Sequence, residues 1–277
     1  MFSWGPPRMG TTWLFNIIKE VAAASGTPTA VVADNAPLPP ASWDGSLIIK
    51  AHRADSVELV RGFDARVPLM ACVMVRDALP TFNSLIRTQS ESREELLHWL
   101  EVDLSSYERV LPHLTQVAVL HESWIERDAE NLIRRLSKFL STRLTDTETQ
   151  RIAEAYKREN VRTLVDRMNA TSDWSGDFRY YDTDTQWHAG HIGPDEQIEL
   201  QLSTVENSRL TAIQARVDEL VERYSLWNVL DSAPGHDHVS SEATPMEYFQ
   251  ARRESHSPRE SFGAWLARGL RYMRPGH

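Results

Sequence analysis

The residues best suited to chemistry lie in the segment Phe2 to Asn16, which reads F-S-W-G-P-P-R-M-G-T-T-W-L-F-N. A short apolar run, a turn between Gly5 and Gly10, and an amphipathic stretch that opens with two threonines follow one another without a gap. In a strand–turn–helix segment of this kind, backbone N–H groups converge on an anion and the helix N-terminus adds the positive end of its dipole. The pattern therefore predicts a phosphate-binding loop.

This loop departs from the sequence that ATPases and GTPases use. It follows the pattern Gly-x4-Gly-Thr-Thr, and the lysine expected before the hydroxyl residue is missing. The only cation in the loop is Arg8. We therefore expect the loop to bind a nucleotide phosphate for a purpose other than hydrolysis of ATP or GTP.

A second candidate site follows the apolar run Leu69 to Val75. Arg76 comes directly after this run, and Ser84 lies eight residues later. Open α/β sheets bind ligands at the carboxyl ends of their strands, and a guanidinium presents a planar fork of donors to a phosphate. Arg76 and Ser84 could therefore hold a second phosphate. The alternative is that Arg76 and Asp77 form only a cap or a salt bridge at the strand end.

A third candidate lies in the segment Leu47 to His52. Lys50 and His52 alternate along an extended stretch, so both side chains can point to the same side. An imidazole with a pKa near 6.5 can accept a proton at neutral pH. His52 is therefore a candidate general base beside the phosphate loop, although a single histidine after a strand can also be structural.

Short apolar runs alternate with helical patterns over the first 140 residues. The apolar runs are rich in Val, Ile and Leu and do not alternate strictly with polar residues, which is typical of strands covered on both faces. Alternation of strands and helices predicts an α/β fold with a parallel doubly wound sheet and helices on both faces. We predict strands at Phe2–Trp4, Thr29–Val32, Leu47–Lys50, Leu69–Val75 and Val117–His121, and helices at Asn16–Ala24, Asp77–Thr88 and Glu94–Leu111.

The later part of the chain is mainly helical. Residues Asn131 to Met168 have helical patterns, with a capping box at Thr145–Glu148. A further helix from Asn207 to Tyr224 has one apolar stripe, formed by Leu210, Ile213, Val217, Leu220 and Tyr224. The sequence thus predicts a single α/β domain over residues 1–230 with a helical C-terminal part.

Composition narrows the class of protein. The chain has 277 residues, 41% of them apolar, and a net charge of −9. An acidic chain is not typical of a nucleic-acid binder. The single cysteine, Cys72, excludes an internal disulfide and is expected to be a buried, unreactive thiol. No run reaches the roughly 20 apolar residues of a membrane span, and no signal peptide is evident, so we expect a cytoplasmic protein.

The composition changes near the C-terminus. Residues 231–245 are predicted to be a flexible linker, and residues 246–277 a tail with a helix at Glu260–Met273. This helix is expected to dock on the domain or on a second copy, giving a homodimer, or else to lie weakly on a membrane surface. His236 and His238 are interpreted as part of the linker, and no metal ligand set is evident.

Together these motifs resemble the sulfotransferases that use 3′-phosphoadenosine 5′-phosphosulfate (PAPS). Their phosphosulfate loop, Pro-Lys-Ser-Gly-Thr-Thr-Trp, is similar to Pro7–Trp13, and their Lys-Thr-His segment to Lys50–His52. Their 3′-phosphate motif has Arg and Ser eight residues apart, as here. Their Tyr-Glu-Asp is matched loosely by His121–Ser123, and the glycines of a late Arg-Lys-Gly-x-x-Gly loop by His188–Gly193. The resemblance extends from about Phe2 to Gly193.

The resemblance implies an enzyme that transfers a sulfuryl group from PAPS to a hydroxyl or amine of a small-molecule acceptor, without a metal. It implies that His52 is the base and that Lys50 and Arg8 stabilise charge. The residues implied in donor binding are Arg8, Met9, Gly10, Thr11, Thr12, Trp13, Arg76, Ser84, His121, Thr163, His188, Gly190 and His191.

Some positions depart from the family. Arg8 replaces the loop lysine, His121 replaces a tyrosine that contacts adenine, and His188 and Ala189 stand where the family has Arg and Lys. These departures favour a bacterial small-molecule enzyme. The alternatives are a P-loop kinase of a small molecule and a non-catalytic nucleotide-binding or scaffold protein. Aromatic residues in the loops that could bind the acceptor, Trp43, Trp174, Tyr180 and Tyr181, suggest a flat or sugar-like molecule.

Overall fold

The structure, a computed structural model, describes residues 1–26, 29–32, 46–52, 70–171, 187 and 200–231. Residues Leu111–His113 form a 3₁₀ turn between the helix that ends at Val110 and the strand that begins at Gln116. The described strands and helices are, in chain order, β1 (Phe2–Trp4), α1 (Thr11–Ala24), β2 (Thr29–Val32), β3 (Ser46–Ala51), β4 (Met70–Val75), α2 (Ala78–Thr88), α3 (Arg93–Val110), β5 (Gln116–His121), α4 (Ser123–Phe139), α5 (Asp146–Ala155), α6 (Arg158–Thr171), α7 (Thr204–Tyr224) and α8 (Leu226–Asp231).

The five strands form one sheet in the order β2-β3-β1-β4-β5, and every pairing is parallel. The central strand β1 pairs with β3 and β4, so that Trp4 lies opposite Ala51 on one side and Val73 on the other. The predicted parallel doubly wound sheet is confirmed, and each predicted strand end lies within one residue of the observed end.

Both faces of the sheet are covered, as the apolar strands predict. Side chains of β4 alternate between the faces because successive Cβ atoms point in opposite directions. Val73 and Val75 pack with α2, α3 and α7, whereas Cys72 and Met74 pack with α1, α4, α5 and α6. Cys72 is fully buried, and burial raises the pKa of its thiol to about 12, so the thiol is protonated at neutral pH.

Capping boxes set the starts of three helices, α3, α5 and α7, and the box of α3 is formed by Ser92 and Glu95. The predicted box of Thr145 and Glu148 is present at the start of α5. The third box, of Ser203 and Glu206, starts α7 at Thr204, three residues before the predicted start at Asn207. The predicted start was too late because the apolar stripe begins after the cap, whereas the reciprocal hydrogen bonds of the box determine where the helix begins.

Helix α4 differs most from the prediction. It begins at Ser123, directly after β5, and changes direction at Asp128, whose backbone φ of −160° and ψ of 70° are not helical. The Asp128 carboxylate accepts a hydrogen bond from the Asn131 N–H at 3.1 Å and so caps the second segment. The prediction that helix begins near Asn131 identified this second segment and missed the first turns.

Two arginines of α7 form ion pairs with glutamates of α3. Arg209 donates two hydrogen bonds to Glu101, both at 2.8 Å. Arg216 donates two to Glu108, at 2.7 and 2.8 Å. These planar pairs lie beside the apolar stripe of α7, in which Leu210, Ile213, Val217 and Leu220 are buried.

No helix in the described part of the chain combines the length and the apolar character needed to cross a bilayer. The predicted linker begins at Asp231, which is the last residue of α8. The rest of that linker and the tail over residues 246–277 lie outside the described residues, so the domain boundaries stay predictions.

Candidate active site

The candidate site lies where the direction of strand connections reverses. The chain leaves β1 toward β2 on one side of the sheet and leaves β4 toward β5 on the other. The carboxyl ends of β1 and β4 are neighbours, and a crevice at such a point is where open α/β sheets bind ligands. The loop Gly5–Gly10 follows β1, and Arg76 follows β4, so both predicted phosphate sites belong to this crevice.

The loop after β1 passes very close to β4. A Cβ atom on Gly5 would lie 2.5 Å from the Met74 carbonyl oxygen and 2.5 Å from Thr11 Oγ1, so the position requires glycine. The Thr11 hydroxyl donates a hydrogen bond to the Gly5 carbonyl at 3.1 Å and closes the loop. Arg8 and Gly10 both have positive φ, 69° and 83°. A left-handed arginine is uncommon and is typical of functional loops.

The N-terminus of α1 points into this loop. Gly10 is the N-cap residue and has no side chain that could cap the helix, and the first turn has no acidic residue. The first intrahelical bond at this end joins the Leu14 N–H to the Gly10 carbonyl at 3.1 Å. Earlier N–H groups therefore lack an acceptor within the helix, and together with the helix dipole they favour an anion.

Arg8 joins the two predicted phosphate sites. Its Nε donates a hydrogen bond to Ser84 Oγ at 2.9 Å, across 76 positions of sequence. Burial, together with the smaller effect of the positive charges of Arg76 and Arg87, lowers the pKa of Arg8 to about 10. Arg8 remains charged at neutral pH. A bound anion would relieve the repulsion among these three guanidinium groups.

Arg76 forms an ion pair, although not with the predicted partner. Its Nε lies 3.2 Å from a carboxylate oxygen of Glu122, the residue that follows β5. Asp77, the neighbour expected to form the pair, instead lies 3.2 Å from His121 Nε2 and accepts a hydrogen bond from the Gln214 amide at 3.1 Å. Arg76 thus both forms a salt bridge and lines the crevice.

Lys50 and His52 both contact the phosphate loop, as their alternation predicts. The Lys50 ammonium donates a hydrogen bond to Thr12 Oγ1 at 2.9 Å and is almost fully buried. His52 Nδ1 lies 3.3 Å from the Gly5 carbonyl oxygen. A carbonyl can only accept, so this contact places the proton on Nδ1 and leaves the lone pair on Nε2.

His121 is held by both ring nitrogens. The Ser123 N–H donates to Nδ1 at 3.3 Å, so Nδ1 accepts, and Nε2 donates toward Asp77. The Ser123 hydroxyl lies 2.8 Å from the same Nδ1. Among the described residues, His121 does not belong to the lining of the cleft, and its contact with adenine stays a prediction.

A cleft of about 1870 Å³ joins these elements. It exceeds the roughly 300–1,000 Å³ typical of a single small-ligand pocket, so it has room for a donor and an acceptor. The predicted site residues that line it are Arg8, Gly10, Thr11, Thr12, Trp13, His52, Arg76 and Ser84.

Trp13 is largely buried although it lines the cleft, and neither Met9 nor Thr163 is among the lining residues. Trp13 is 7% exposed, and its indole N–H donates to the Tyr156 carbonyl at 2.9 Å. The Met9 side chain is fully buried in the core. Thr163 is exposed, donates to the Glu159 carbonyl at 2.9 Å and is not brought to the cleft. His188, Gly190 and His191 lie outside the described residues.

Four residues of the site were missed. Arg87, Asn83 and Glu122 line the cleft, and Tyr107 supports His52 from α3 by donating a hydrogen bond to its carbonyl at 2.9 Å. Arg87 could have been found, because a residue three positions after Ser84 lies on the same helix face. The Asn83 Oδ1 atom is buried and has no hydrogen-bond partner among the described residues, which marks a polar group available to a ligand.

Within the described ranges, no group of three or more His, Cys, Asp or Glu side chains is arranged to hold a metal ion.

Comparisons with known proteins support the fold. No family model matches the chain, and no curated protein matches it. Among solved structures, the crystal structure of mouse sulfotransferase SULT7A1 complexed with PAP matches with a TM-score of 0.51 and 13% sequence identity. The match covers 84% of this chain and 88% of the mouse chain. The five-stranded parallel sheet and its flanking helices therefore have the same fold as this sulfotransferase.

Proposed function

We propose that the protein is an enzyme that transfers a sulfuryl group from PAPS to a hydroxyl or amine of a small-molecule acceptor. The observation that carries this proposal is the 2.9 Å hydrogen bond from Arg8 to Ser84, which links the loop after β1 to the helix after β4 within one cleft. PAPS carries two separate phosphate groups, on the 5′ and 3′ positions. A pair of adjacent anion sites on this fold suits such a molecule.

The residues present fit PAPS by their chemistry. The uncapped N-terminus of α1 and Arg8 suit the 5′-phosphosulfate, while Arg76 and the buried Ser84 hydroxyl suit the 3′-phosphate. Burial and, to a smaller extent, repulsion from Arg76 and Arg87 lower the pKa of Arg8, so a bound anion would stabilise its charged form. When bound, PAPS supplies the sulfuryl group, which the acceptor attacks in line as adenosine 3′,5′-bisphosphate leaves.

His52 is the proposed general base. Its Nδ1 proton is directed to the Gly5 carbonyl, so Nε2 carries the lone pair that takes the acceptor proton. His52 also lines the cleft, which allows an acceptor to reach it. Proton removal by a positioned base of this kind contributes about 10²- to 10⁴-fold in rate.

Lys50 and Arg8 are proposed to stabilise the negative charge that develops on the departing phosphate. The Lys50 ammonium holds the Thr12 hydroxyl at 2.9 Å in the first turn of α1. Because Lys50 is 5% exposed, its charge acts across a medium with little water. Arg8 adds a second positive charge from the loop itself.

A kinase is less consistent with the arrangement of carboxylates. Within the described part of the chain, Asp77 and Glu122, which follow β4 and β5, are acidic residues at this strand edge that could hold Mg²⁺. Glu122 is paired with Arg76 at 3.2 Å, and Asp77 lies 3.2 Å from His121. Binding of Mg²⁺ would have to displace these partners.

Thermal unfolding with added nucleotides tests the proposal. Adenosine 3′,5′-bisphosphate should raise the melting temperature in the presence of EDTA, and at 100 times its Kd the gain is about 2.7 kcal/mol. A kinase would respond to ATP with Mg²⁺ instead, and a non-catalytic scaffold that binds no nucleotide would respond to neither. Transfer of label from ³⁵S-PAPS to a panel of phenols, alcohols, sugars and amines would then identify the acceptor class.

A further inference from the structure

Helix α2 presents a third guanidinium to the cleft. Ser84, Arg87 and Thr88 lie at positions i, i+3 and i+4, so they share one face of this helix, and all three line the cleft. Ser84 already accepts the hydrogen bond from Arg8. The face of α2 that carries Arg87 is therefore the face that meets the phosphate loop.

The charges at this end of the cleft form a group. Arg8, Arg76 and Arg87 all line it, and Arg76 and Arg87 are the two charges that lower the pKa of Arg8 beyond the effect of burial. The hydrogen bond from Arg8 to Ser84 places Arg8 against the helix face that carries Arg87, where repulsion between the two guanidinium groups acts over a short distance. Three positive charges at one end of a cavity favour binding of an anion there.

Arg76 forms an ion pair with a carboxylate of the same cleft. Arg76 lies 3.2 Å from the Glu122 carboxylate, so the attraction of Arg76 for an anion is partly offset. A phosphate monoester carries between about one and a half and two negative charges at neutral pH. A site made of Arg76 and Ser84 alone would leave part of that charge without a partner.

We infer that Arg87 is a specificity-determining residue for the donor, and that its guanidinium binds the 3′-phosphate together with Arg76 and Ser84. This inference rests on the proposed function. Arg87 would make the cleft select nucleotides that carry a phosphate on the ribose 3′ position over those that carry only a 5′-phosphate. The competing explanation is purely structural, because Arg87 lies in the last turn of α2, where a cation stabilises the helix dipole.

Calorimetry with two ligands separates these explanations. Affinities for adenosine 3′,5′-bisphosphate and adenosine 5′-phosphate are measured for the wild type, for Arg87→Met and for Arg109→Met. Arg109 is a matched control, since it lies in the last turn of α3, is exposed, and is not among the cleft-lining residues. Methionine keeps the apolar stem and removes the charge in both variants.

We expect Arg87→Met to weaken the bisphosphate by about 10- to 100-fold, as for a lost charge-assisted hydrogen bond, and to weaken the 5′-phosphate by less than about threefold. Arg109→Met should leave both affinities within about twofold of the wild type, since surface substitutions away from such features have small effects. If Arg87→Met keeps the wild-type preference for the bisphosphate, Arg87 serves only the end of α2 and the inference is wrong.

The same measurements separate failure of this inference from failure of the proposed function. A wild type that binds neither nucleotide, or both equally, contradicts the donor assignment itself. A wild type that prefers the bisphosphate supports the donor assignment whatever Arg87→Met does. Should Arg87→Met fail to fold, Arg87→Lys decides, because it keeps the charge and loses the planar fork. Its preference for the bisphosphate should fall by about three- to tenfold, and an unchanged preference would count against Arg87.

Discussion

The hydroxyl of Tyr107 donates a hydrogen bond to the backbone carbonyl of His52 at 2.9 Å. Tyr107 lies on α3 and is fully buried, with its ring 6.1 Å from that of Trp4 on the central strand. His52 comes directly after β3, and its ring contacts the Gly5 carbonyl on the other side. The proposed base is therefore fixed from two directions, through its backbone by α3 and through its ring by the phosphate loop.

Replacing Tyr107 with phenylalanine should lower turnover without changing donor binding. The ring would still fill its place in the core, but the His52 carbonyl would lose a donor, at a cost of about 0.5–1.5 kcal/mol of stability. We expect kcat to fall by about three- to tenfold, since small misplacements of a base reduce the rate. The affinity for adenosine 3′,5′-bisphosphate should remain within twofold, and the pKa seen in the pH–rate profile should not move.

Tyr224→Phe is the matched control for that experiment. The Tyr224 hydroxyl is buried and has no hydrogen-bond partner among the described residues, so its removal breaks no observed bond. Stability and kcat should both be unchanged or slightly higher. Equal losses of kcat in the two variants would mean that Tyr107 acts through general packing and not through His52.

His52→Ala should abolish sulfuryl transfer while the affinity for adenosine 3′,5′-bisphosphate stays within a few-fold. A general base acts on the acceptor proton in the transition state and contributes little to ground-state binding of the donor. The wild-type rate should fall below about pH 6.5, where an ordinary imidazole becomes protonated. His113→Ala, which removes an exposed histidine from the 3₁₀ turn, should change neither quantity. Near-normal turnover in His52→Ala would mean that His188, His191 or a group of the acceptor itself acts as the base.

Much of the site follows from the sequence because parallel strands end at one edge. The loop after β1, the pair Lys50 and His52 at the carboxyl end of β3, and Arg76 after β4 belong to adjacent strands, so their contacts are a consequence of strand order. The hydrogen bond from Arg8 to Ser84 was not predicted, because the sequence assigned the two residues to two different phosphates. Its geometry also depends on the left-handed conformation of Arg8.

Other features depend on packing between distant elements, which no local pattern reports. Tyr107 meets His52 across 55 positions of sequence, and Gln214 of α7 reaches Asp77 across 137. The break in α4 at Asp128 results from a side-chain cap that competes with the helix, and the predicted start at Asn131 missed the turns before it. Predictions of the late histidines and of the tail concern residues outside the described part of the chain and stay predictions.

Acid should weaken the attachment of α7 to α3. Hydrogen bonds from Arg209 hold the pKa of Glu101 below its ordinary value. The pKa of Glu101 is thus lower in the folded state than in the unfolded state, where it is near 4.5. Its ionised form therefore stabilises the folded protein at pH values above 4.5. This stabilisation is lost as the pH falls through the pKa of the folded state. We expect Glu101→Gln to destabilise the protein by about 0.2–1 kcal/mol at pH 7 and to have little effect at pH 3, as a partly exposed ion pair implies.

Melting temperatures of the wild type and Glu101→Gln between pH 3 and 7 measure this difference. Glu222→Gln, at an exposed position of α7 that takes part in none of the ion pairs observed among the described residues, controls for the loss of one negative charge. A gap between the wild type and Glu101→Gln that stays constant over the whole pH range would contradict the ion-pair explanation.

The pairing of Arg76 with Glu122 makes the contribution of the 3′-phosphate site measurable by a double variant. Arg76→Ala should weaken adenosine 3′,5′-bisphosphate by about 1.5–3 kcal/mol and adenosine 5′-phosphate much less, because only the former has the 3′ group. The single variant also leaves the Glu122 carboxylate, 3.2 Å from the lost Nε, facing the phosphate without its partner. Part of the loss of affinity in Arg76→Ala should therefore come from repulsion between Glu122 and the phosphate, and the rest from the missing contact of Arg76.

Adding Glu122→Gln to Arg76→Ala should recover some affinity for the bisphosphate, about three- to tenfold, and Glu122→Gln alone should tighten binding slightly by freeing Arg76. Isothermal titration of both nucleotides with the four proteins gives the coupling energy directly. Equal weakening of both nucleotides by Arg76→Ala would show that Arg76 does not read the 3′ position. Additive effects of the two substitutions would show that the two side chains contribute independently, and that Glu122 does not repel the phosphate when Arg76 is absent.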